Sequence, residues 1–282
     1  IPAFRFSSKV YRAELQALNL IDKNIVLSGQ LSSDFSGDKI DNFVGSVSLN
    51  DVNVTRDDSI EASFGNMRLE ARLLSAETKK IRLISDFAEG EIEGDFTIKD
   101  LPKALYSFAK ATFTTDFVDT ANYGKQDFTV NLRINNPVNI TRVISPQFYG
   151  IRNAQIKADF SSSAHHLNAT GEIGEVRYGN FRFKDVNLFT NAVNGGLDVR
   201  TYIDKVYNGD SLMLDTARVL TETTANRDFR FDVLLADKKK KNYVDLTAFL
   251  TPRKGLAVLR LEPSDVKLAN YHWHFAPNNY IY

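Results

Sequence analysis

Alternation of apolar and polar residues runs through this chain from one end to the other, and it restricts the fold more than any other feature. Residues 90–98 place Ile92, Gly94, Phe96 and Ile98 on one side and Glu91, Glu93, Asp95 and Thr97 on the other. Met67, Leu69, Ala71 and Leu73 oppose Arg68, Glu70 and Arg72, and Phe128, Val130, Leu132 and Ile134 oppose Thr129, Asn131 and Arg133. The same pattern recurs at 25–35, 43–49, 81–87, 154–160, 165–173, 197–203, 212–220 and 229–235. Successive strand residues point to opposite faces, so each segment reads as a strand with one apolar and one hydrated face. Antiparallel sheets tolerate that arrangement and parallel ones rarely do.

Turn residues fall between these segments at hairpin spacing: Ser36-Gly37-Asp38, Asp57-Asp58, Asn194-Gly195-Gly196, Asn208-Gly209-Asp210 and the run Lys238 to Lys241. The lysines read as a solvated hairpin tip that discourages edge pairing. One segment departs from the pattern. From Asp100 to Lys110, with Asp100 as N-cap and Pro102 in the first turn, Leu101, Ala104, Leu105 and Phe108 recur at helical spacing, giving one short amphipathic helix. Residues 111–127 are the best candidate for an internal break, yet the strand pattern resumes beyond them, so residues 1–282 read as a single elongated β domain. Asp51-Val-Asn-Val and Asp185-Val-Asn-Leu echo one another without a fixed repeat period.

Roughly 14 or 15 such strands at about 4.8 Å spacing make a sheet on the order of 65 Å long. Its apolar face, carrying many of the 20 Phe, must be hidden, and one short helix cannot cover it. Open sheets of that size usually curl, split or close. A closed barrel, a β-sandwich folded on itself and a sheet curled into a U-shaped trough all satisfy the pattern.

Composition narrows the function. With 35 Lys+Arg against 35 Asp+Glu the net charge is zero, which gives no basic footprint for nucleic acid. There is no Cys, so disulfides, thiol catalysis and Cys-bound zinc are excluded. No nucleophile elbow, phosphate loop or zinc-protease motif occurs, so no enzyme, cofactor or metal is expected. His272 and His274 share a strand face at a usable two-ligand spacing, but no acidic partner adjoins them in sequence, and Trp273 between them reads as a packed aromatic strand. Asn53, Asn139 and Asn168 each begin an Asn-x-Thr triplet, a weak glycosylation signal. No apolar run is long enough to cross a bilayer as a helix. The start at Ile1-Pro2, without an initiator Met, leads to the expectation of an internal segment of a longer chain.

Three stretches carry a family resemblance. Ile81 to Leu105 is a strand pair running into a helix with Leu-x-x-Ala-Leu; Phe181 to Leu188 repeats the hairpin pattern; and Leu261 to Ile281 contains Trp273-x-Phe275-x-Pro277-x-Asn279-x-Ile281. Together they resemble the TamB-like translocation and assembly proteins of the AsmA-like Gram-negative envelope family. The resemblance implies an elongated curled sheet whose apolar inner surface carries phospholipid acyl chains across the periplasm, in a protein anchored to the inner membrane elsewhere. It also implies outer-membrane protein assembly with an Omp85-family barrel. On that reading Leu69, Leu73, Ile92, Phe96, Ile98, Phe128, Val130 and Leu132 line the groove, and Leu101, Leu105 and Phe108 of the helix gate or cap it. The alternative is a non-catalytic structural or adhesive β-sandwich of a surface or secreted protein.

Overall fold

A computed structural model of the chain describes residues 2–19, 21–113, 123–135, 140–253, 256–268, 271–277 and 279–281. It shows one long, open antiparallel sheet with two helices. Strands β1 (Ala3–Glu14), β2 (Ile25–Ser36), β3 (Val44–Arg56), β4 (Ile60–Leu73), β5 (Lys79–Ser85) and β6 (Ala88–Asp95) form the first half. Helix α1 (Leu101–Phe113) follows, then β7 (Asp127–Ile134), helix α2 (Ile140–Ile144), β8 (Phe148–Ser161), β9 (His166–Tyr178), β10 (Phe181–Val193) and β11 (Gly196–Asn208). The far end holds β12 (Ser211–Leu214), β13 (Thr216–Thr223), β14 (Phe229–Ala236), β15 (Tyr243–Arg253), β16 (Leu256–Leu261), β17 (Ser264–Leu268), β18 (Tyr271–Phe275) and β19 (Asn279–Ile281).

From β1 to β11 each strand pairs with its sequence neighbours, a meander. Further on, β12 and β13 are successive parts of one arm against β11, and β15 carries both β16 and β17. These splits raise the strand count above the 14 or 15 expected. The sheet does not close, and among the described residues β1 pairs with β2 alone. It curls into the trough, and among the described residues every strand belongs to this one sheet, with no second sheet to make a sandwich.

Curling has a visible cause in the backbone. Asp51 in β3 and Asp185 in β10 both adopt φ near +52°, as does Asn153 in β8 at +51°. In both Asp-Val-Asn segments the second-next Asn side chain donates to the Asp carbonyl, Asn53 to Asp51 at 3.1 Å and Asn187 to Asp185 at 3.5 Å. Asp and Asn tolerate this left-handed conformation better than most residues. In β3 and β4 the pairing register also shifts there, and such bulges bend strands and strengthen their twist. The sequence echo is therefore a shared left-handed Asp with the same Asn-to-carbonyl bond; the register shifts at Asp51 and runs on unshifted past Asp185.

Glycine permits a close approach of neighbouring strands beside α1. Gly94 has φ +152°, and a Cβ on it would lie 2.1 Å from the Asp127 carbonyl oxygen and 2.6 Å from Phe128 Cα. Gly94→Ala should therefore lower unfolding free energy by about 2–3 kcal/mol. Denaturant melts will show it as a reduced midpoint.

The core is divided rather than single. At one end of the strands Val52, Val54 and Ala62 pack with Val143 of α2. That helix leaves β7 yet reaches β3 and β4, where Arg56 Nη1 donates to the Val143 carbonyl at 2.8 Å. At the other end Phe96, Phe128 and Phe160 pack with Ala104 of α1. A third cluster, Ala192, Leu197 and Phe229, meets the same helix through Phe108. The expected helix over Asp100–Lys110 thus forms and extends to Phe113, whereas α2 was not expected. Of the suggested break at 111–127, residues 111–113 are helical and Asp127 begins β7; 114–122 lie outside the described residues.

Candidate functional site

Between the part of the inner face under α2 and the part under α1, strands β1–β6 form an apolar groove of about 820 Å³. Alternation builds its floor. Cross-strand register brings Val47 opposite Leu69 and Leu69 opposite Leu83, so the row is continuous hydrocarbon across β3, β4 and β5. Leu49, Met67, Ala71, Ile81 and Ile92 extend it. Phe4, Phe35 and Phe43 form an aromatic row at one side, with ring centroids 5.2 and 4.9 Å apart. The volume falls in the ordinary range for small-ligand sites, and the lining offers very few polar groups. Asp38 and Lys39 are the polar residues of its rim.

One end of the groove is fixed by polar contacts. The backbone N–H of Ile98 donates to Asp41 Oδ1 at 2.6 Å, and Lys79 Nζ donates to the Asp41 carbonyl at 2.9 Å while lying 5.0 Å from the Phe96 ring centroid. These bonds tie the turn between β2 and β3 to the segment leading into α1. Ile98 and Leu101 close the groove there. The buried Gln126 holds the same segment from the other side, accepting from the Thr97 N–H at 3.0 Å.

The outer face of the same strands is charged. Lys80 bridges Glu91 at 2.9 Å and Glu93 at 3.2 Å, and these hydrogen bonds hold its ammonium above the ordinary lysine value. Such exposed pairs contribute little to stability, but they keep this face in water and leave the inner face as the apolar one.

The residues expected to line a groove divide into three groups. Leu69, Ile92, Phe96 and Ile98 do line it, together with Leu101 of the helix. Leu73, on the same face as Leu69, sits 55% exposed at the end of β4. Phe128 and Val130 face inward but lie with Phe96 in the cluster under α1, and Leu132 continues their face toward the other end of β7. Of the helix residues, Phe108 packs against Phe160 with ring centroids 5.3 Å apart, whereas Leu105 is 44% exposed. The helix therefore covers the middle of the inner face through Leu101, Ala104 and Phe108, and Leu105 takes no part.

A second apolar stretch opens beyond the covered middle, about 660 Å³ among Leu212, Leu214, Leu235, Val244 and Leu268, with Lys238, Lys239 and Lys241 beside it. The lysine hairpin is ordered by Asp237, which accepts backbone N–H bonds from Lys239, Lys241 and Asn242. Although loss of hydration works against it, those donors hold the Asp237 carboxyl below its ordinary value. Sequence reasoning missed Phe4, Phe35, Phe43, Val47 and Leu83 as groove residues, although all but Phe4 lie in segments whose alternation marks them as strands. It also missed this second stretch.

Among the described residues no helix is long and apolar enough to cross a membrane. No protein family, no curated protein and no solved structure matches this chain.

Proposed function

We propose that this chain is a hydrophobic-groove segment of a TamB-like, AsmA-like envelope protein, taking phospholipid acyl chains on the inner face of its curled sheet. The observation that carries the reading is the 820 Å³ groove, which is almost wholly apolar and lies open on the sheet. Each methylene leaving water for such a surface gains about 0.8 kcal/mol, so about ten of them supply roughly 8 kcal/mol before ordering costs. No pocket of defined polar chemistry is needed for that gain. Headgroups remain at the rim, where Asp38 and Lys39 stand.

On this reading the protein works in the periplasm, passing lipid between inner and outer membranes and supporting outer-membrane protein assembly with an Omp85-family barrel. Helix α1 divides the greasy face into two uncovered stretches, so passage along the whole sheet requires it to shift. The expected result is phospholipid in organic extracts of gently purified protein, identified by mass spectrometry. Lipid-free protein that also fails to crosslink to a photoactivatable acyl chain would overturn the proposal.

A further inference from the structure

We propose that Asp265, His272 and His274 form a binding site for a divalent transition metal of the Zn²⁺ class on the outer face of the β17–β18 hairpin. Its register sets Asp265 opposite His274, Val266 opposite Trp273 and Lys267 opposite His272. Period two then puts Asp265, His272 and His274 on one face and Val266 and Trp273 on the other. The acidic partner absent from the local sequence is thus supplied across the hairpin.

The two imidazole centroids are 4.2 Å apart. His272 Nε2 lies 3.5 Å from Asp265 Oδ1, and His274 Nδ1 contacts the same oxygen. One ligand atom from each residue lies within 4.8 Å of the other two. Zinc–nitrogen and zinc–oxygen bonds of about 2.0–2.1 Å in a tetrahedron separate neighbouring ligand atoms by about 3.3 Å, within reach of small rotamer changes. Two imidazoles with one carboxylate are a competent donor set, and three protein ligands leave a fourth position for water or another ligand.

A second observation also calls for a cation here. Asp245 of β15 stands directly across from Asp265 on the other side of β17, and like charges in that relation repel. Tyr243 donates to Asp245 at 3.0 Å, and Lys267 lies on the same face in the neighbouring row, between Tyr243 and His272. A metal bound by Asp265 and the two histidines neutralises the carboxylate pair more directly than either. It also crosslinks β17 to β18.

The test is titration of the purified protein with Zn²⁺ alone at pH 7.5 against a chromogenic chelator. One equivalent should bind, with affinity reduced at least about tenfold in His272→Ala and in Asp265→Asn. All three side chains are about half exposed or more, so both variants should keep the parent circular dichroism spectrum. His166, whose Nε2 lies 3.3 Å from Asp159, supplies the control: His166→Ala should bind as the parent does. Co²⁺ added to the unaltered protein should give visible ligand-field bands, a readout that needs no variant. Absence of saturable binding, or equal affinity in the His272→Ala/His274→Ala double variant, would overturn the site.

Discussion

Phe96→Asp is expected to unfold the region around α1, costing at least about 4 kcal/mol. The reason is the position of the side chain rather than the openness of the trough. Phe96 is 2% exposed, packs edge-on to Phe128 with centroids 5.9 Å apart, and shares a cluster with Ala104 and Phe160. A carboxylate there would lose its water inside an apolar cluster. The nearest charge, Lys79, is already bound to the Asp41 carbonyl. Because the same cluster seats the helix, the loss should appear in both near-UV circular dichroism and protease sensitivity around residues 101–113. From the alternation alone, Phe96→Asp would separate a trough that tolerates the charge from a sandwich that does not. The helix removes that distinction, since it buries Phe96 inside an open sheet. A Phe96→Asp protein with the parent melting midpoint would show that α1 does not pack on this face.

The alternation made the faces of β4, β6 and β7 legible because nothing interrupts it within the segments read. Glu91 and Glu93 bind Lys80 on the outer side while Ile92 lines the groove, as the period requires. Strand length was less legible, for a physical reason. In β3 the inward residues are Val47 and Leu49, then Val52 and Val54. Left-handed Asp51 shifts the count by one, so a strand of 13 residues reads as one ending near residue 49. In β4 the inward set changes from Ile60, Ala62 and Phe64 to Met67, Leu69 and Ala71 across Gly65, whose φ is +57°. Helix α2 escaped notice because five residues hold too little periodicity, and Ile140-Thr141 was read within a glycosylation triplet. The aromatic row of Phe4, Phe35 and Phe43 comes from two strand ends and the turn after β2, a juxtaposition that only the curl produces. The family resemblance pointed to a greasy interior; which part of it stays uncovered depends on where α1 lies.

Leu69→Asp is expected to leave the fold in place and to cut acyl-chain capture roughly a hundredfold. Leu69 is 40% exposed, so its carboxylate stays hydrated in the unliganded protein, and the stability loss should be within about 1 kcal/mol. Its neighbours across the strands are Val47 and Leu83, both groove residues. A hydrocarbon tail lying along that row must either strip water from the new charge or avoid the row. Either choice removes most of the gain from burying methylenes. The measurement is displacement of a fluorescent fatty acid and crosslinking yield to a photoactivatable acyl chain, each beside a thermal melt. Leu105→Asp, on the exposed side of α1, is the matched control and should change neither. Unchanged capture in Leu69→Asp would remove the groove over β1–β6 as the acyl site. The second stretch, around Leu235 and Val244, would then be the place to seek it. Equal loss in both variants would mean that the charge acts through the fold and not through the groove.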